Sequence, residues 1–227
     1  MIFIDPKLWA VASGTPIGNE AVGDIIQLRE NLVPVDYIVV HQGLPGSMYD
    51  ASCDGTWLLR KDIAENRVWN RGNSNVLETS DIQAYLNGDW MNRYDPDVVQ
   101  AIKQVKIPYR QNGGSGGTDR SGSNGLSCKI FLLSGKEVGW DSSDNQYFPN
   151  DGAKLSYFLD GTGSSANRKR VATLNGSAAD WWLRSPNTNG TGSVWNVYSS
   201  GGWNSWSVNF SSCGVRPALV LPSDFRI

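Results

Sequence analysis

The segment from Ser185 to Val215 constrains this chain most, because it contains no charged side chain and is crowded with aromatic, Asn, Ser and Gly residues. A solvated charged face has a different composition. Rigid aromatic rings mixed with short amides are typical of recognition surfaces such as antibody binding loops. A β-rich core with Gly/Ser turns is the alternative, since Trp and Tyr also favour strands. The density of Asn and Ser favours recognition, because buried amides need hydrogen-bond partners.

We therefore predict a ligand-binding segment at residues 187–212. The candidate aromatic anchors are Tyr198, Trp203, Trp206 and Phe210. Their hydrogen-bonding neighbours are Asn187, Asn189, Asn196, Asn204 and Ser205. Arg184 and Arg216 border the segment, and we expect them to make scaffold hydrogen bonds rather than ligand contacts.

The charge and the apolar pattern of the whole chain argue against two partners, nucleic acid and membranes. Its 227 residues fit one domain with a large core, which we predict to span residues 1–227. A formal net charge of −2 gives no basic footprint for nucleic acid, and the run 168–170 is expected to be a solvated loop. No apolar window is long enough for a membrane span, and residues 1–5 do not resemble an export leader. We expect neither membrane insertion nor a signal peptide.

The pattern of apolar residues predicts an α+β fold. Ser80 with Gln83 matches a helix-capping box, and Asp95 with Pro96 begins a second helix that is expected to run to Pro108. Strands are predicted at 24–40 (a hairpin turning at 30–31), 55–59, 129–133, 181–184, 194–198, 205–210 and 215–221. Long loops are predicted at 111–125 and 141–152, whereas 154–159 is compatible with a helix or a strand.

No catalytic motif has the context that its chemistry requires. Gly113–Gly117 has the form G-x-S-x-G, but it lies in a glycine loop and the single histidine, His41, precedes it. We expect His41 to be a hydrogen-bonded structural residue, with a nucleophilic pair between His41 and Cys53 as the alternative. Cys53, Cys128 and Cys213 lack metal-site spacing, and buried free thiols are expected. One pair could still form a disulfide in a protein displayed outside a cell.

A calcium loop is the remaining metal possibility. Asp141 to Asn145 offers oxygen ligands at alternating positions, but Gln146 and Gly152 replace the glycine and the glutamate of an EF-hand. A looser calcium site in this loop is left open. We expect no other metal and no cofactor, since one histidine cannot build an imidazole cluster and no phosphate-binding motif occurs.

Two motifs carry a family resemblance. Trp181–Pro186 reads WWLRSP and Gly214–Leu219 reads GVRPAL. In this order and near the C-terminal end, they resemble a group of C-type-lectin-like domains of bacteria and phages, some of which are variable proteins of diversity-generating retroelements. Residues 37–43 and 49–59 also look like the first half of that group, so the resemblance covers nearly the whole chain.

The resemblance implies a C-type lectin fold: two helices packed against mostly antiparallel strands, long loops, and an exposed ligand surface on the last strands. WWLRSP and GVRPAL would be the invariant scaffold. In diversified members, mutagenesis of template adenines varies Asn codons, which adds Thr191 and Ser207 to the candidate site residues. Calcium-dependent sugar binding is not implied, because the Glu-Pro-Asn and Trp-Asn-Asp signatures are missing.

The function expected from these observations is ligand or receptor binding without catalysis. The partner would be a protein or glycan on a cell surface, and the domain would sit on a virion tail or a bacterial surface, as a trimer by analogy with phage fibres. The alternatives are an enzyme on the same fold, such as a cysteine-dependent oxidase of the formylglycine-generating type, and a purely structural virion subunit.

Overall fold

The computed structural model of the protein describes residues 14–159 and 164–227. The expectation that the chain starts without an export leader concerns residues 1–5, which lie outside the described residues. Among those that are described, no helix is long and apolar enough to cross a membrane.

The described chain is a sheet-rich α+β structure. Its helices are α1 (Asp81–Leu86), α2 (Pro96–Ala101) and α3 (Ser164–Arg170). Its strands are β1 (Ile25–Glu30), β2 (Val33–Gln42), β3 (Thr56–Arg60), β4 (Glu65–Asn66), β5 (Val105–Ile107), β6 (Tyr109–Gln111), β7 (Thr118–Arg120), β8 (Leu126–Cys128), β9 (Ile130–Phe131), β10 (Ala172–Leu174), β11 (Ser177–Ala179), β12 (Trp181–Pro186), β13 (Ser193–Val197), β14 (Trp203–Ser207), β15 (Gly214–Val215) and β16 (Ala218–Leu221).

The first of two five-stranded sheets has the order β1-β2-β3-β16-β9. The predicted first hairpin is confirmed, although its turn lies one residue later than expected, at Asn31 and Leu32, which both have positive φ. Two left-handed residues are what a type I′ two-residue hairpin turn requires. β16 pairs with both β3 and β9, so strands from the two ends of the described chain share one sheet.

The second sheet has the order β14-β13-β12-β15-β4 and contains the strands predicted at 181–184, 194–198 and 205–210. The strand predicted at 215–221 is divided between β15 in this sheet and β16 in the first sheet. Every residue of β12, the WWLRSP strand, is buried. Two apolar clusters form the core, and they include the paired indoles Trp181 and Trp182, one in each cluster. β14 is an edge strand, which leaves part of its surface available to solvent.

Helix α1 begins where the sequence predicted, with Ser80 Oγ accepting the Gln83 amide at 3.2 Å. Helix α2 starts at Pro96 as expected but ends at Ala101, so its predicted extension to Pro108 is wrong. The Lys103 amide donates to Val220 O at 2.9 Å, which draws the backbone toward the first sheet. Long-range strand pairing at β5 therefore overrides the local helical spacing.

Two predicted loops are also corrected. Residues 111–125 are not a continuous loop, because β6 and β7 pair as a hairpin within the region. The run 168–170 ends helix α3 instead of forming a solvated loop. Arg170 is buried, its Nε donating to Val138 O at 2.7 Å and its guanidinium lying 4.2 Å from the Trp140 ring centroid. A guanidinium tolerates this burial because it can stack on an indole while it binds a carbonyl. The undecided segment 154–159 contains a short 3-10 turn, Ser156–Phe158.

Candidate ligand-binding surface

Arg184 fixes the scaffold that carries the predicted binding segment. It lies in β12 and is 1 % exposed. Its guanidinium forms a two-pronged ion pair with Glu137, at 2.5 Å (Nη1–Oε2) and 2.7 Å (Nη2–Oε1). It also donates to the carbonyls of Pro108, Leu132 and Asp151, at 3.1, 2.9 and 2.8 Å. Every edge of this cation is therefore occupied by protein, and Arg184 is scaffold as expected.

Arg216 is the second buried scaffold arginine. Its Nε donates to Arg60 O and its Nη2 to Lys61 O, both at 2.9 Å. The guanidinium lies 4.8 Å from the centroid of the Trp181 ring. These contacts join the GVRPAL segment to β3 and to the WWLRSP strand, so the two motifs support one another in space.

The hairpin β13–β14 presents the predicted binding segment. Its turn runs from Tyr198 to Gly202, closed by the Tyr198 amide on Gly202 O at 2.7 Å. Gly201 has a φ of 85°, and a Cβ there would come within 2.1 Å of Asn167 O. Only glycine satisfies both conditions. The close approach to α3 holds the tip of the hairpin in place.

One face of β14 carries Trp203 as the outermost member of an aromatic stack. Its ring centroid lies 5.5 Å from that of Trp195 and 6.3 Å from that of Phe148, each in an edge-on arrangement. Phe148 and Trp195 stack at 4.1 Å, and Trp140 continues the stack at 6.3 Å from Phe148. Trp203 is 42 % exposed and Tyr198, in the turn, is 45 % exposed. The predicted exposure of these two rings is confirmed.

Short polar side chains accompany Trp203 on this outer surface, which we call the Trp203 face. Asn187 Nδ2 lies 3.2 Å from Ser205 Oγ, and Asn187 Oδ1 accepts the Asn189 amide at 3.0 Å. Asn189, Thr191 and Ser207 are exposed, while Asn187 and Ser205 are half-buried. These side chains are held in fixed positions while part of their surface stays open to solvent.

The opposite face of β14 has a structural role. Because strand side chains alternate between faces, Asn204 and Trp206 point away from Trp203. Trp206 stacks on Phe210 with centroids 4.7 Å apart, and both rings pack against the core. Trp206 Nε1 donates to Asp180 Oδ2 at 2.9 Å, and the other oxygen of Asp180 accepts the Ser199 amide at 2.9 Å. Asp180 thus ties Trp206 to the hairpin turn.

This alternation corrects the predicted site. Asn196 is 0 % exposed, and its Nδ2 lies 3.2 Å from Asp180 Oδ2, so it cannot touch a ligand at the surface. The expected grouping of Trp203, Asn204 and Trp206 on one surface is also wrong, since β14 divides them between its faces. The Trp203 face therefore comprises Asn187, Asn189, Thr191, Tyr198, Trp203, Ser205 and Ser207.

Besides Asp180, three supporting residues were not predicted from the sequence. Asn75 is fully buried, and its Nδ2 donates to Gly190 O at 3.1 Å and Ser193 O at 2.8 Å, which fixes the loop before β13. The Tyr147 carbonyl accepts the Trp195 indole at 3.2 Å, and Phe148 completes the stack. The aromatic pair Tyr147–Phe148 inside a polar loop was the available signal. No local pattern marked Asn75.

In the described residues, the cysteines do not pair with the histidine. All three cysteines are free and buried, as expected. Burial raises the pKa of Cys53 to about 11 and that of Cys128 to about 12, so both stay protonated thiols at neutral pH. His41 Nδ1 contacts Ser156 Oγ at 2.8 Å, and Cys53 Sγ instead contacts Lys106 O. The alternative pair between His41 and Cys53 is not formed.

The loop that was left open as a calcium site uses its carboxylates internally. Asp141 Oδ1 accepts the Ser143 amide and hydroxyl at 2.8 and 2.6 Å, and these bonds lower the pKa of Asp141. Asp144 Oδ2 accepts the Asp141 amide at 2.9 Å. In residues 14–159 and 164–227, no group of three or more His, Cys, Asp or Glu residues could hold a metal ion.

Asp151 makes stability depend on pH. It is buried, its Oδ1 has no partner among the described residues, and desolvation raises its pKa to about 7. A carboxyl whose pKa is higher in the folded state stabilises the fold fully at low pH, and this contribution is lost as pH rises from about 4 through 7. We expect the stability of the parent protein relative to Asp151→Asn to fall by at most about 1.4 kcal/mol per pH unit over that range.

Urea unfolding of both proteins at pH 4, 5.5, 7 and 8 measures this difference. A constant offset between the parent and Asp151→Asn at every pH would contradict the assignment to Asp151. Asp36, a surface carboxylate bonded to Gln27 and Lys61, offers the control Asp36→Asn.

Comparison with known proteins identifies the family and nothing finer. The family described as a domain of unknown function (DUF6273) matches residues 54–223. The match runs from β3 to β16 and includes the scaffold residues Arg184 and Arg216 and the Trp203 face. No curated protein and no solved structure matches the chain. Since the match covers well over half of its residues, the chain belongs to the DUF6273 family.

Proposed function

We propose that this chain is a non-catalytic ligand-binding domain of C-type-lectin-like fold that recognises its partner with the Trp203 face. The partner is a protein or glycan on a cell surface, and the domain belongs to a virion tail or to a bacterial surface. The resemblance of WWLRSP and GVRPAL to that group supports the fold assignment. The burial of these motifs, one of which is the strand that pairs with the hairpin, agrees with a scaffold role.

The observation that carries the proposal is the exposed Trp203 ring on a buried aromatic stack. An exposed indole normally loses side-chain freedom when it binds, but contacts with Trp195 and Phe148 already restrict this one. Fixed aromatic rings of this kind are common binding hot spots. Asn187 and Ser205 supply hydrogen-bond groups on the same face.

The absence of charge across residues 185–215 defines how the surface would bind. Contact area and directional hydrogen bonds would dominate, and long-range electrostatic attraction would contribute little. Because salt screens charge–charge interactions and leaves apolar contact intact, binding at this face would change little between low and high ionic strength.

Diversification by a retroelement is part of this proposal. Asn189, Thr191 and Ser207 are exposed and lie in loops or at a strand end, where substitution costs little stability. A reverse-transcriptase gene beside a near-copy of the codons for residues 187–212, differing at adenines, would support active diversification. Identical adenines in such a copy would argue against it.

The test is binding of labelled protein to a panel of bacterial cells and immobilised glycans. We expect Trp203→Ala to weaken capture about thirtyfold, the effect of losing a 2 kcal/mol anchor. Val33→Ala is the matched control, because Val33 is also exposed and apolar but lies on the first hairpin. If both variants bind like the parent, or both fail equally, the Trp203 face is not the binding surface.

A further inference from the structure

A second surface feature shares no lining residue with the Trp203 face. A cleft of about 300 Å³ is lined by Lys61, Arg168, Lys169 and Arg216, together with the apolar side chains of Ile25 and Tyr157. Among its described lining residues, Asp62 is the single acidic one. The chain as a whole is slightly acidic, so this concentration of positive charge is local.

Arg216 forms the floor of the cleft and is 1 % exposed. The acceptors that it contacts are backbone carbonyls, those of Arg60, Lys61 and Arg170. Desolvation lowers the pKa of Arg216 to about 10, which leaves it charged at neutral pH. Its charge is offset by these carbonyl dipoles and by the Asp62 carboxylate, and an anion placed next to it would stabilise it further.

Two exposed cations lie at the rim. Lys61 Nζ is 3.0 Å from Asp36 Oδ2, and both side chains of this pair are partly exposed (45 % and 34 %), so water and other anions can compete with it. Arg168 donates to the neutral Ser165 hydroxyl at 3.1 Å. The carboxylate of Asp62 accepts the Thr173 hydroxyl at 2.6 Å. Lys61 and Arg168 can therefore turn toward an anion in the cleft without breaking a buried contact.

We propose that this cleft binds an oxyanion, a phosphate or sulfate group, between Arg216 below and Lys61 and Arg168 at the rim. Such groups accept several charge-assisted hydrogen bonds at once, and guanidinium geometry suits them. The walls formed by Ile25 and Tyr157 leave room for an organic substituent on the anion. The site would act independently of the Trp203 face.

Titration calorimetry with inorganic phosphate and with phenyl phosphate, at constant ionic strength set with NaCl, tests the proposal. We expect saturable binding to the parent and affinity lowered at least about tenfold in Lys61→Gln/Arg168→Gln, from the loss of charged hydrogen bonds. Tighter binding of phenyl phosphate would identify a phosphate group on a larger molecule as the ligand. Equal binding of the two would identify the free ion.

Arg120→Gln is the control, because it removes one exposed positive charge on β7, outside the cleft. Phosphate binding no stronger than chloride binding would overturn the proposal. So would an equal loss of phosphate affinity in Arg120→Gln and in the cleft variant. Trp203→Ala should bind phosphate like the parent. Failure of the oxyanion site can therefore be distinguished from failure of the proposed recognition surface.

Discussion

Replacing Arg184 with alanine is expected to destabilise the protein by about 3–5 kcal/mol, because it leaves the Glu137 carboxylate buried without its partner. The change also leaves three backbone carbonyls without their side-chain donor. Many domains have only about 5–15 kcal/mol of total stability. Urea unfolding of the parent and the variant measures the loss.

Arg29→Ala is the control, since Arg29 pairs with Asp95 at 3.5 Å while its side chain is 55 % exposed. Its removal should cost less than about 1 kcal/mol. Arg184→Met combined with Glu137→Leu should recover part of the lost stability by removing both buried charges. An Arg184→Ala variant as stable as Arg29→Ala would show that the scaffold does not depend on this ion pair.

The second large effect is expected at Trp206. Trp206→Ala removes the stack on Phe210 and the indole hydrogen bond to Asp180, and should cost about 3 kcal/mol, or roughly 6–12 °C in melting temperature. Trp206→Phe retains ring contact but not the N–H donor, and should fall between the parent and Trp206→Ala. If Trp206→Ala melts at the same temperature as the parent, the structural role assigned to the Trp206 side of β14 is wrong.

Local patterns predicted much of the fold. The first hairpin and the start of α1 follow from alternation and from a capping serine, both of which act within a few residues. The end of α2 could not be predicted, because Val105 keeps helical spacing yet pairs with Cys128. Such pairing depends on residues far away in the chain.

The candidate site was predicted as a segment but not as a surface. The aromatic and amide composition of residues 187–212 marked the correct hairpin, while the strand was expected at 205–210 and lies at Trp203–Ser207. The phase of a strand decides which side chains share a face. Asp180 then binds the Trp206 indole on one face, and Phe148 contacts the Trp203 ring on the other. Both residues lie outside the segment.

The melting temperature of a Trp203→Ala/Tyr198→Ala double variant tests the central claim, that the outer aromatic residues of the hairpin serve recognition and not the core. With both rings about half exposed, we predict a fall of less than about 5 °C relative to the parent. A fall equal to or larger than that of Trp206→Ala would mean that both rings belong to the core, and would contradict the recognition surface.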